Sequence, residues 1–267
     1  MTSSKTITRL LSGLKSMSNF CIVCTPRSGS YYLFEYMCKT FDLVEGNEWF
    51  GRNKEADLLN PMELNTRSVN IDWTKNEDLL SMKDIQRRRK HLENFPFPYC
   101  IKVMPLQLSN TPSQANYSMW QRVDIACEIL QDFDLIWFKR KDKISHFCFE
   151  LTAMHCSQAD YPRNREYSTY NPDKRTTPPP NSFTATEEDF KKYMFREKFT
   201  NFVMEDFTTP VVWYEDFVED QDGVMDEIQQ CFGLAGVYLE NNKKKIIENP
   251  DYTEIFTNYG EIESWFH

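Results

Sequence analysis

Between Phe20 and Phe34 the chain reads FCIVCTPRSGSYYLF, and the polar middle of this stretch holds residues able to grip an anion. Thr25, Ser28 and Ser30 bring hydroxyls and Arg27 a guanidinium, while Pro26 and Gly29 belong to a tight turn whose small residues let backbone approach a ligand. The preceding run, Phe20 to Cys24, is short and unbroken in its apolar character, as for a central parallel strand covered on both faces. A helix starting after the turn would aim its free N–H groups and positive dipole end at the same place. The stretch is a candidate oxyanion cradle, set against the plainer reading of strand, turn and helix with Arg27 in solvent. No Lys followed by Ser or Thr stands after Gly29, which disfavours an ATP or GTP hydrolase of the Walker type.

Two further groups offer cations to the same kind of site. Lys102 interrupts the apolar run from Tyr99 to Met104, and a lysine there is costly to bury unless it faces an anion. It is a candidate active-site cation, weighed against a lysine whose stem is buried and whose head reaches solvent. The run Leu135-Ile136-Trp137-Phe138 leads into Lys139-Arg140-Lys141-Asp142-Lys143 and then a helical pattern. Strand, basic turn and helix again make an anion site at the C-terminal edge of a sheet. Positive charge at a helix start opposes the dipole and needs another reason to be there.

After a helix candidate from Tyr31 to Thr40 the chain continues Gly46-Asn47-Glu48-Trp49-Phe50. An RSGS turn, a helix and an acidic residue followed by two aromatics resemble the bacterial carbohydrate sulfotransferases of the trehalose 2-sulfotransferase type. The resemblance implies a three-layer α/β/α fold with a central parallel sheet, of the P-loop-like sulfotransferase kind. It implies transfer of a sulfuryl group from 3′-phosphoadenosine 5′-phosphosulfate (PAPS) to a hydroxyl of a carbohydrate or small polar acceptor. Cofactor contacts would come from Pro26, Arg27, Ser28, Gly29, Ser30 and Tyr31, with Tyr31 standing where the family has Thr. Glu48 would be the general base, flanked by aromatics that partly desolvate it, with Arg27 and Lys102 as catalytic cations. Arg140-Lys141-Asp142 resembles the family's Arg-x-Asp, which makes Arg140 the ligand of the 3′-phosphate. Phe149 falls where the family places a partner Ser, so that contact is lost, moved to Ser145, or supplied elsewhere.

The elements that must position these residues are strands at 19–25, 99–104, 134–138 and 210–214 with helical patterns between, hence right-handed crossovers and a parallel sheet. Thr186 followed by Glu187-Glu188-Asp189 starts one helix, and another should run from Glu215-Asp216 to Phe232. Tyr214 and Glu215 resemble a family feature that is chiefly structural. With 267 residues, 40% of them hydrophobic, the chain is long enough for one domain with a sizeable core. We expect an amphipathic segment at 1–18, one sulfotransferase-like domain at 19–267, and a substrate lid at 162–183, where prolines and polar residues crowd.

The net charge of −9 argues against general nucleic-acid or anionic-membrane binding, and no apolar run approaches the ~18 residues a span requires. Eight scattered cysteines fit reduced thiols in a cytoplasmic protein. Cys21 and Cys24 should point to opposite faces of a strand, and His146, Cys148, His155 and Cys156 are read as packing residues, so no metal is expected. The Arg87-Arg88-Arg89-Lys90 run is read as a solvated helix face. The C-terminal lysines and aromatic tail leave a reach to the cofactor, or a homodimer, open. Against the sulfotransferase stand a small-molecule kinase or phosphohydrolase on the same fold and a non-catalytic nucleotide-binding protein.

Overall fold

The computed structural model describes residues 19–26, 28–46, 48–50, 82–95, 97–109, 117–157, 181–234 and 250–267. Five parallel strands form one sheet in the order β2-β3-β1-β4-β5. At its centre is β1 (Phe20–Cys24), all five residues buried, paired with β3 (Tyr99–Val103) on one side and β4 (Asp134–Lys139) on the other. β5 (Val211–Trp213) extends the β4 side. β2 (Val44–Glu45) closes the opposite edge and was not expected, since two residues carry no periodicity to read.

The pleat divides the core into two layers. Phe20, Ile22 and Cys24 face α1 (Ser30–Thr40), while Cys21 and Val23 face α2 (Met82–Glu93) and, further along the sheet, α4 (Met119–Leu130). The short α3 (Leu106–Ser109) follows β3. Cys21 and Cys24 thus point to opposite faces, and both are free thiols. Beyond β4, α5 (Lys143–Ser157) is followed by α6 (Glu187–Glu205), whose N-terminus is fixed by the expected capping box between Thr186 and Asp189. This three-layer α/β/α arrangement is the one expected.

The helix expected from Glu215 to Phe232 is two: α7 (Tyr214–Glu219) and α8 (Gln221–Phe232). Asp220 breaks it, because its backbone leaves the helical region (φ −139°, ψ 84°) and its carboxylate caps the second helix by accepting from the Gly223 N–H at 3.0 Å. α9 (Tyr252–Ile255) and α10 (Tyr259–Trp265) carry the aromatic tail back onto the same chain. Phe266 meets Phe190 at 5.0 Å between ring centroids, and Trp265 meets Phe147 at 6.2 Å. The N-terminal half of α6 lies against this third cluster through Tyr193, its C-terminal half against the sheet through Phe199, Val203 and Met204. The segment at 1–18 and most of the expected lid, up to residue 180, lie outside the described residues. Among the described residues no helix is long and apolar enough to cross a membrane.

Candidate functional site

Because all five strands are parallel, their C-terminal ends share one edge, and those residues singled out from sequence that the structure describes gather there. The turn after β1 is central. Gly29 has φ +87°, and a Cβ there would lie 2.6 Å from the Tyr214 ring, so both conformation and space demand glycine. Helix α1 begins at Ser30 with no side-chain cap on its first N–H groups and no acidic residue in its first turn. Ser30 Oγ accepts from the Cys24 thiol at 3.2 Å. Ser28 is fully buried, and the Cys24 thiol is the one neighbour its Oγ reaches among the described residues, too weakly placed to make a well-formed hydrogen bond. Arg27 lies outside them.

One strand over, the basic turn after β4 sorts its cations. Lys141 pairs with Asp216, and Lys143 Nζ lies 2.5 Å from Glu197 Oε2. Lys139 lies over Trp137, 3.8 Å from the ring centroid, and burial, with Lys143 nearby, holds its ammonium below the usual lysine range. Arg140 differs. It is 3% exposed, its guanidinium stacks 4.1 Å from the Tyr214 ring centroid, and its Nε and Nη1 have no hydrogen-bond partner among the described residues. A buried cation with unmet donors is costly unless an anion joins it.

Tyr214 therefore touches both turns, Gly29 on one side and Arg140 on the other. Glu215 accepts from the backbone N–H groups of Lys141 and Asp142 at 2.9 and 3.3 Å and so fixes the turn. Phe149 lies 5.7 Å from the Arg140 guanidinium, filling with an aromatic face the place where a hydroxyl was sought. Ser145 sits in the first turn of α5 with its N–H on Asp142 Oδ1 at 2.9 Å, and no hydrogen bond joins it to Arg140.

On the other flank Glu48 leaves the end of β2. Gly46 sits so close to β3 that a Cβ would come within 2.5 Å of Ile101, and its N–H reaches the Cys100 carbonyl at 2.8 Å. Glu48 Oε1 lies 2.8 Å from Lys102 Nζ, and Oε2 accepts from Gln107 Nε2 at 3.5 Å. Lys102 Nζ is also 5.8 Å from the Tyr31 ring centroid, which joins this pair to the first turn of α1. Tyr31 is 48% exposed, and its hydroxyl is pushed up to about 12, first by burial and then by Glu35 and Glu45.

The aromatics beside Glu48 do not cover it. Trp49 and Phe50 are turned into the core, while the Glu48 side chain keeps 38% of its surface. What they do is anchor the segment: the Trp49 indole N–H donates to the Arg88 carbonyl at 3.2 Å, and the Arg88 guanidinium donates to the Trp49 carbonyl. The Arg87 to Lys90 run is therefore not one solvated face, since Arg88 is 6% exposed and Arg89 lies 2.5 Å from Asp132.

No protein-family model matches the chain, and no curated protein matches it. Among solved structures it is similar to the mouse sulfotransferase SULT7A1 complexed with PAP, at 13% identity and a TM-score of 0.37, over 99% of this chain and 70% of that one. It is also similar to a sulfotransferase from Alicyclobacillus acidocaldarius, at 14% identity and a TM-score of 0.48, over 93% and 90%. The functional reading rests on the side chains.

Proposed function

We propose that the protein is a sulfotransferase that moves a sulfuryl group from PAPS to a hydroxyl of a carbohydrate or other small polar acceptor. The observation that carries this reading is Arg140, a buried guanidinium whose Nε and Nη1 have no partner among the described residues, joined through Tyr214 to a glycine turn that holds the buried Ser28. These groups suit a ligand with two separate anionic ends. Ser28, Ser30 and the first amides of α1 would hold the 5′-phosphosulfate together with Arg27, and Arg140 the 3′-phosphate.

In the transfer the acceptor oxygen attacks sulfur in line. A new O–S bond forms, the bond from sulfur to the 5′-phosphate oxygen breaks, and that oxygen leaves with the electron pair. Glu48 takes the acceptor proton, and Lys102 at 2.8 Å holds the carboxylate in place. The cradle stabilises the leaving phosphate by fixed donors, the usual main contribution when charge moves between anionic groups. Tyr31 offers an exposed aromatic face beside the pair, suited to a sugar ring. Free, buried cysteines on β1, α1 and β3 suit a reducing, cytoplasmic setting.

Calorimetric titration with 3′-phosphoadenosine 5′-phosphate (PAP), and separately with ATP, tests the reading. PAP should bind tightly and ATP not at all. The reverse result would overturn the assignment in favour of a kinase.

A further inference from the structure

The turn opens with Thr25 and Pro26, and both spend their polar groups on helices beneath it. Thr25 Oγ1 donates to Glu197 Oε1 at 2.9 Å, and the Pro26 carbonyl lies 2.8 Å from His146 Nε2. His146, on α5, is fully buried, and Glu197, on α6, is 8% exposed. A carbonyl can only accept, so Nε2 carries the ring proton. Burial drives the imidazole down to about 4, against the pull of Glu197 and of the Pro26 bond, so the ring is neutral at pH 7 and Nδ1 is bare.

The Tyr193 hydroxyl lies 3.2 Å from that nitrogen and 3.4 Å from the Lys143 carbonyl. Both of these atoms can only accept, so the Tyr193 O–H is the donor shared between them. Glu197 is charged: burial pushes its carboxyl up, but Lys143 and the bonds from Lys143 and Thr25 outweigh this and hold it below the usual carboxylate range. Two chains of hydrogen bonds thus converge on consecutive residues, from Tyr193 through His146 to Pro26, and from Thr25 to Glu197. Buried polar groups of this kind are expensive where apolar side chains would pack as well, and they stand directly under the candidate site.

We propose that Tyr193, His146 and Glu197 are positioning residues for the turn, through which α6 sets the direction of the cradle's donors without giving the ligand any atom. The inference rests on the reading of this turn as the holder of the 5′ group. It therefore separates ligands by which phosphate they carry.

The test measures PAP and adenosine 3′-phosphate binding to the full chain, in the wild type and in Tyr193→Phe, Thr25→Val and Thr25→Ser. Wild-type protein should bind PAP much more tightly than the monophosphate; if it does not, the 5′-cradle reading falls and takes the inference with it. Given that preference, Tyr193→Phe and Thr25→Val should each weaken PAP by about 5- to 30-fold, the usual cost of one buried hydrogen bond. Adenosine 3′-phosphate should stay within about twofold, and Thr25→Ser, which keeps the hydroxyl, should behave as wild type. Equal losses for both ligands would mark a general structural role, and no loss would mark none; either overturns the proposal. So would failure of both Tyr193→Phe and Thr25→Val to fold, since the groups would then belong to the core alone.

Discussion

The two ends of the sheet edge handle charge in opposite ways. At the β2–β3 end, Glu48 and Lys102 neutralise one another at 2.8 Å, Gln107 reaches the second carboxylate oxygen, and the carboxylate stays open to solvent. At the β1–β4 end, Arg140 and Ser28 are buried, and Arg140 Nε and Nη1 and Ser28 Oγ lack well-formed hydrogen bonds among the described residues. The first end is complete without a ligand and has to meet an exchangeable acceptor. The second is incomplete, and burial makes any anion it takes worth more, because few waters compete for the same donors. On the proposed reading, recognition energy is concentrated at the β1–β4 end and chemistry at the other.

The largest expected effect would break the acceptor end. Glu48→Gln keeps size and hydrogen bonding but cannot take a proton, so turnover should fall by ~10²–10⁴-fold while PAP affinity stays close to wild type. Glu45→Gln, on the adjacent strand, is the control and should leave the rate nearly intact. Similar behaviour of the two variants in a transfer assay would move the base elsewhere.

Acid should strike the other end first. His146 has a folded pKa of about 4 against an ordinary 6.5, so between those values the unfolded chain binds a proton that the folded chain refuses. Stability is therefore lost as pH falls through 6.5 toward 4, by about 3 kcal/mol in all, and is present in full above that window. Urea midpoints at pH 7 and pH 4.5 measure the fall. His146→Gln can still donate to the Pro26 carbonyl but does not titrate, so its midpoint should fall less over the same interval. Parallel curves would show that the imidazole is not held neutral.

How much of this was legible in the sequence depended on how local the cause was. The five apolar residues of β1 can only be a covered strand, and Thr186 with Asp189 caps a helix through bonds three residues long. Arg88 was misread because its burial comes from Trp49, 39 residues away, and a run of basic residues looks the same whether or not one of them turns inward. His146 was visible only as a helix residue near cysteines, for its partners Pro26 and Tyr193 lie 120 and 47 positions off. The turns proposed to hold the anion could be picked out by residue type. The groups that hold those turns still are ordinary until the fold brings them together.

Arg140→Ala sharpens the contrast at the phosphate end. Loss of charged hydrogen bonds should weaken PAP by about 10- to 100-fold. Adenosine 5′-phosphosulfate, which lacks the 3′-phosphate, should be almost untouched. Calorimetry on both ligands checks this, and equal losses would deny Arg140 its assigned group.

The smallest effect is the most direct comparison, because it concerns the sign of a stability change with no ligand present. Arg140→Met removes a buried charge whose Nε and Nη1 lack partners among the described residues and leaves an apolar chain of similar length against Tyr214 and Phe149. The desolvation cost disappears, while a cation–π contact of roughly 1 kcal/mol is given up, so the ligand-free protein should gain about 1 kcal/mol. Lys102→Met removes one partner of a satisfied pair. Because Glu48 keeps 38% of its surface, solvent takes over much of the charge, and the loss should be at most about 1 kcal/mol. Thermal unfolding without ligand should therefore move the two variants in opposite directions, Arg140→Met upward and Lys102→Met downward. Saturating PAP should then reverse the order of Arg140→Met and wild type, since only the wild type gains the full linkage from the 3′-phosphate. A fall in ligand-free stability for Arg140→Met would mean that the guanidinium is already satisfied, and the distinction between a complete and an incomplete end would collapse.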